Sequence, residues 1–178
     1  MPFTPLHLGP GLAIKSLAGR HFSLLTFGVA QVAMDIEPLL GMLRGAGRLH
    51  GPSHTYLAAL GIAALVAVIS PALCRPILRR WNRELTFYRL AWLTTPVTFT
   101  PLPVIAGAFV GTLSHVMLDS VMHVDITPFA PWADANRLLG VISLAALHQV
   151  CVVAGLFGLG VWLAVAWFHR RDRSGAAS

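Results

Sequence analysis

The residues best suited to chemistry lie between His115 and Asp125, where imidazoles and carboxylates follow an apolar run. In an α-helix, His115, Asp119 and His123 would be spaced at i, i+4 and i+8, within about 80° of one another around the axis. One helix face would then present two imidazoles and a carboxylate, with Asp125 just beyond them. Imidazole and carboxylate are ligands of divalent metals in hydrolytic enzymes. The segment therefore predicts a metal site, the alternative being a helix end that these residues merely cap and solvate.

The composition indicates a membrane protein. Of the 178 residues, 56% are hydrophobic and only 11% are charged, whereas soluble domains contain about 25% charged residues. The predicted membrane elements are residues 8–19, 22–34, 56–74, 103–122 and 138–168. The first would be about 18 Å long as a helix, which is shorter than a hydrocarbon layer of about 30 Å. It is therefore either a short buried helix or a re-entrant element.

These segments predict an all-α fold, a polytopic membrane helix bundle with four to five membrane elements. A chain of this length suits one compact bundle rather than two domains. We predict a single domain over residues 1–173, followed by a short flexible tail at residues 174–178.

The basic residues predict the orientation of the bundle. The net charge is +6, and arginines alternate with aromatic residues between the third and fourth segments. Such a pattern could bind nucleic acid, but beside a membrane segment it is more typical of a cytoplasmic loop with an interfacial aromatic belt. We therefore predict no nucleic-acid partner. With this loop and the basic C-terminus inside, ten of the 13 lysines and arginines lie inside, and three lie outside: Arg44, Arg48 and Arg137.

This topology brings polar residues from several segments to the outer end of the bundle. The candidate metal ligands are His7, Asp35, His50, His54, His115, Asp119 and His123. A carboxylate inside the hydrocarbon costs a few kcal/mol, and several carboxylates at one rim would repel one another without a cation. A bound metal would supply that charge. Salt bridges to the three outer arginines are the competing explanation.

Asp35 and Glu37 are the candidate catalytic carboxylates. Residues two apart on a helix point in different directions. However, Pro38 disfavours helical geometry at Glu37, so both carboxylates can face one site. At the other end of the chain, Asp134 is predicted to cap the last helix.

Together these residues resemble the bacterial inner-membrane metal-dependent hydrolases of the YdjM-like group. The matching residues are His7, Met34-Asp35-Ile36-Glu37, His50-Gly51-Pro52-Ser53-His54-Thr55, Ser114-His115 to Asp119-Ser120, and Pro128-Phe129-Ala130-Pro131. The chain differs in having Glu37 where the family pattern has Asp, and in the spacing of its histidine pair. A fainter similarity is to zinc-dependent phospholipase C. The resemblance implies a multi-pass protein of the bacterial cytoplasmic (inner) membrane with a metal-dependent hydrolase activity.

The leading hypothesis is a membrane-embedded metal-dependent hydrolase that acts on a phosphoester or lipid-like substrate at the outer leaflet. A divalent metal would activate water and a second would hold the leaving oxygen. Zinc is favoured by the ligand types, and two or more ions are expected. Membrane lipids are the expected partners, with the site on the extracytoplasmic side. The alternative is a non-enzymatic metal-binding membrane protein, either a scaffold or a transporter.

Overall fold

The computed structural model describes residues 5–175 and the side chains of residues 5–169. Its α-helices are α1 (Leu8–Ala18), α2 (Leu24–Met34), α3 (Ile36–Leu43), α4 (Tyr56–Phe87), α5 (Pro101–Met122) and α6 (Leu144–Gly175). No strand occurs within residues 5–175. The predicted all-α bundle is therefore confirmed.

Four helical stretches are long and apolar enough to cross a membrane. They are Leu24–Leu43, Tyr56–Phe87, Pro101–Met122 and Leu144–His169. The first combines α2 and α3, which are separated only at Asp35. Helix α1 has 11 residues and is about 16 Å long, so it is too short to cross a membrane unaided. The chain thus has the architecture of a multi-pass membrane protein.

Helices α2, α4 and α5 pack closely because small residues face one another. Ala30, Ala63, Val66 and Ala108 form a buried cluster between them. At Gly111 an added Cβ would lie 2.6 Å from Cβ of Ala30, so only glycine permits this approach. Small residues serve the same purpose where helices associate in membranes. This packing holds the C-terminal end of α5 beside the C-terminal end of α2.

Glycines also join α1 to α6. A Cβ at Gly158 would overlap the main chain of Leu12 and Ala13, whereas a Cβ at Gly160 would have no neighbour within 4 Å. We therefore expect Gly158→Ala to lower the free energy of unfolding by about 1–3 kcal/mol, because overpacking forces the helices apart. Thermal unfolding in detergent micelles measures this effect. Gly160→Ala is the matched control, and an equal loss in both variants would contradict the predicted contact.

Several predicted boundaries were wrong. The third segment continues as helix α4 to Phe87, so most of the arginine-rich loop is helical. The last helix begins at Leu144, and Asp134 therefore does not cap it. That helix extends to Gly175 and includes residues 174 and 175 of the predicted tail, while residues 176–178 lie outside the described residues.

The break between α2 and α3 also differs from the expectation. Glu37 lies in the first turn of α3, in spite of Pro38, and the helix is interrupted at Asp35 instead. Proline is tolerated in a first turn because its missing N–H would have no partner there. Asp35 keeps a right-handed helical backbone, with φ −76° and ψ −6°. Asp35 and Glu37 are therefore two positions apart on a nearly continuous helix, and their side chains point in different directions.

Candidate metal centre

The carboxylate of Asp119 lies at the centre of a histidine cluster at one end of the bundle. His7 precedes α1, His50 and His54 precede α4, and His115 lies one turn before Asp119 in α5. From the Asp119 oxygens, the Nε2 atoms lie at 3.2 Å (His115), 3.5 Å (His54), 3.7 Å (His7) and 3.9 Å (His50). Helix ends from distant parts of the sequence thus place four imidazoles around one carboxylate.

The two oxygens of Asp119 face different histidines. His7 is nearest to Oδ1, whereas His50, His54 and His115 are nearest to Oδ2. Two sets of donor atoms include Asp119, and the atoms of each set lie within 4.8 Å of one another. One set adds His7 and His115, and the other adds His50 and His54. Either set provides three protein ligands, the number typical of a catalytic zinc site.

Asp35 lies at the edge of this cluster. Its Oδ1 is 3.5 Å from Nε2 of His115, and its side chain is buried where α2 ends. Asp35 belongs to neither of the two sets of donor atoms. Its carboxylate therefore borders the two sets, and its role as a metal ligand stays a prediction.

Three of the histidines are oriented by a hydrogen bond at Nδ1. Nδ1 of His50 is 2.8 Å from Oδ1 of Asp125, and Nδ1 of His115 is 2.8 Å from Oε1 of Gln31. The Gln31 amide is itself fixed, because its Nε2 donates to the carbonyl oxygen of Gly111 at 2.9 Å. An acceptor at Nδ1 keeps the proton on that nitrogen, so the lone pair of Nε2 faces Asp119.

His54 is oriented through a serine. Its Nδ1 lies 2.9 Å from Oγ of Ser53, and that hydroxyl donates to Oε2 of Glu37. The main-chain N–H of Ser53 also donates to Glu37, at 3.0 Å. Because the hydroxyl proton is given to Glu37, Oγ is left to accept from Nδ1 of His54. Glu37 therefore orients His54 through Ser53, and its carboxylate contacts the Nδ1 side of the ring.

Buried nitrogens of the cluster have no hydrogen-bond partner among the described residues. They are Nδ1 and Nε2 of His7, Nε2 of His54 and Nε2 of His115. His54 and Asp119 are only 0% and 3% exposed, so bulk solvent does not reach them. Buried acceptors that face one another cost free energy, and a cation between them removes that cost. These buried groups can therefore hold a metal ion.

Salt bridges to arginine do not account for the cluster. Among the described residues, the only arginine–carboxylate pair joins Arg80 and Glu84. Arg48 reaches the loops around the cluster, but it donates to the main-chain oxygens of His50 and Asp125. The competing explanation from the sequence, in which outer arginines neutralise the acidic residues, therefore finds no support.

The ionisation of two residues outside the membrane-spanning segments favours metal binding. Burial lowers the pKa of His7 to about 4, in spite of nearby Asp119, so its imidazole is neutral and able to ligate. Partial burial opposes ionisation of Asp125, but the N–H groups of His50 and Leu49 and the His50 ring lower its pKa to about 2. The Asp125 carboxylate thus holds the proton on Nδ1 of His50.

His123 does not extend the helical face of His115 and Asp119. Helix α5 ends at Met122, and the backbone of His123 is extended. Its ring packs on His50 with the ring centroids 4.2 Å apart, and it forms a third donor set with His50 and Asp125. His123 is therefore joined to the cluster through His50, and a direct role as a metal ligand stays a prediction.

Two residues at this site were missed in the sequence. Gln31 precedes Asp35 by four positions, and Ser53 lies within the histidine pair. The i, i+4 spacing of Gln31 and Asp35 within an apolar helix could have identified Gln31, since that spacing places both on one face. Its partner His115 is 84 positions away and could not have been inferred from spacing.

Comparison of the chain with models of protein families, with curated proteins and with solved structures finds no match.

Proposed function

We propose that this protein is a membrane-embedded metal-dependent hydrolase, in which Asp119 would be a ligand common to two metal sites. The observation that carries the proposal is the pair of donor sets that share this one carboxylate. His7 and His115 would complete one site, and His50 and His54 would complete the other. Four imidazoles with one shared carboxylate favour zinc over magnesium or calcium, which prefer oxygen ligands. The resemblance to YdjM-like hydrolases supports the same conclusion.

A phosphoester or lipid-like substrate suits this centre. Two bound metals would lower the pKa of water and neutralise the anionic oxygens of a phosphoester. Because the donor residues come from helix ends, a lipid could reach the site without leaving the bilayer. We propose that the site lies at the outer leaflet of the bacterial cytoplasmic membrane, and the distribution of basic residues supports this orientation.

The residues around the centre would act either as a general base or as supports that orient the metal ligands. Asp35 faces the cluster without belonging to either donor set, so it is the residue placed to accept a proton from the attacking water. Glu37 is bonded to Ser53 and keeps His54 in place. Gln31 likewise keeps His115 in place, and Asp125 keeps His50 in place. Buried, hydrogen-bonded supports of this kind keep ligands in position.

Hydrolysis is tested with purified, zinc-loaded protein and a panel of phospholipids and phosphodiesters. We expect product from at least one lipid substrate, loss of product after chelation, and recovery when zinc is restored. Mass spectrometry of the reaction products identifies the bond that is cleaved. If no substrate of the panel is cleaved while the metal is retained, the non-enzymatic alternative, a metal-stabilised scaffold, replaces this proposal.

A further inference from the structure

An open surface depression of about 440 Å³, called the cavity below, lies next to the candidate metal centre. Asp125 lines this cavity and bonds to Nδ1 of His50, whereas Nε2 of the same ring faces Asp119. One imidazole therefore separates the cavity from the cluster. The apolar side chains of Val124 and Leu139 form part of its wall.

Arg48 lines the cavity in a fixed orientation. Its Nε donates to the main-chain oxygens of His50 at 3.0 Å and Asp125 at 3.1 Å, and its Nη2 lies 3.4 Å from Oγ1 of Thr127. Within the described part of the chain, no carboxylate oxygen lies within 4.0 Å of this guanidinium. A positive charge is thus held at the cavity, and no carboxylate of the described residues contacts it.

Asp134 supplies a negative charge to the same cavity. No arginine, lysine or histidine among the described residues lies within 4.0 Å of its carboxylate. The other carboxylate of the lining, Asp125, accepts from the main-chain N–H groups of Leu49 and His50 and from the His50 ring. Of the charged groups in the lining, Asp125 is therefore held by N–H donors, whereas Arg48 has no carboxylate in contact and Asp134 has no cation in contact among the described residues.

We propose that this cavity binds the zwitterionic head group of an aminophospholipid. Arg48 would contact a phosphate oxygen, for which the guanidinium geometry is suited, and Asp134 would contact the ammonium group. A purely anionic head group would be repelled by Asp134, and a purely cationic one by Arg48. The apolar wall suits the glycerol part of such a lipid. The inference rests on the proposed function, for which it names the substrate class.

Lipid binding without turnover tests the inference. The purified protein in detergent micelles is mixed with equal amounts of phosphatidylethanolamine and phosphatidylglycerol of identical acyl chains, and retained lipid is counted by native mass spectrometry. We expect the protein to retain about tenfold more phosphatidylethanolamine than phosphatidylglycerol. This ratio corresponds to one additional charge-assisted contact, between Asp134 and the ammonium group. Arg48→Gln and Asp134→Asn should each remove this preference, and Arg48→Lys should keep part of it. Arg44→Gln is the matched control, because it removes the same charge outside the cavity.

The other outcomes overturn the inference. If the unmodified protein retains both lipids equally or prefers phosphatidylglycerol, its net positive charge rather than the cavity governs lipid binding. If Arg48→Gln lowers retention of both lipids equally, Arg48 only joins two loops. If Arg48→Gln does not fold, Asp134→Asn still tests the inference. Asp134 is exposed, so its substitution should not disturb folding. As the measurement does not need hydrolysis, a missing lipase activity with the preference intact would refute the proposed function alone.

Discussion

Asp119→Asn is expected to remove nearly all bound metal from the protein. The purified native protein should carry about two ions per chain and the variant fewer than about 0.5, because both candidate sites lose their shared ligand. The asparagine amide would also donate hydrogen bonds to at most two of the four Nε2 atoms that now face Asp119, and so partly replace the cation as their partner. Elemental analysis by mass spectrometry of protein purified without added chelator measures the metal content.

Glu84→Gln is the control for this experiment. It removes the same charge from a carboxylate whose partner is Arg80, at 3.9 Å, in helix α4. We expect its metal content to equal that of the native protein. Equal metal content in the native protein and in Asp119→Asn would refute the metal centre, and the cluster would then be a set of hydrogen-bonded core residues.

Asp35→Asn is expected to lower kcat by about 10²–10⁴-fold, the usual contribution of a general base. Asp35 lies 3.5 Å from Nε2 of His115 but outside both donor sets, so the metal content should stay unchanged. Asparagine has a similar shape and cannot take up a proton. Steady-state kinetics on the lipid substrate and metal analysis of the same preparation together separate a base from a ligand.

Glu37→Gln is the matched comparison for Asp35→Asn. Glu37 acts on His54 through Ser53, so we expect a loss of about tenfold in metal affinity, as for other residues that orient ligands. Its effect on kcat at saturating metal should be small. If kcat falls more in Glu37→Gln than in Asp35→Asn, Glu37 is the general base and Asp35 is the orienting residue. Loss of metal from Asp35→Asn would instead make Asp35 a ligand.

Much of the architecture followed from the sequence alone. Long apolar segments with few charges can only satisfy their backbone groups in a membrane as helices, and this predicted the bundle. The i, i+4 spacing of His115 and Asp119 placed both on one helix face, because helical geometry is local. The boundaries of α4 and α6 were less predictable. Both helices continue into residues that are polar or contain breakers, and local propensity does not determine where a packed helix ends.

The sequence by itself determined the membrane helices, the ligand types and the pairing of His115 with Asp119. Tertiary structure alone decided that Asp119 belongs to both donor sets, that Gln31 bonds to His115 from 84 positions away, and that Glu37 bonds to Ser53 beside His54. It also brought Arg48 and Asp134 to one cavity. The physical reason is that spacing along a helix specifies only neighbours on the same element. Contacts between helix ends depend instead on how closely the helices pack, which the small residues between α2, α4 and α5 allow.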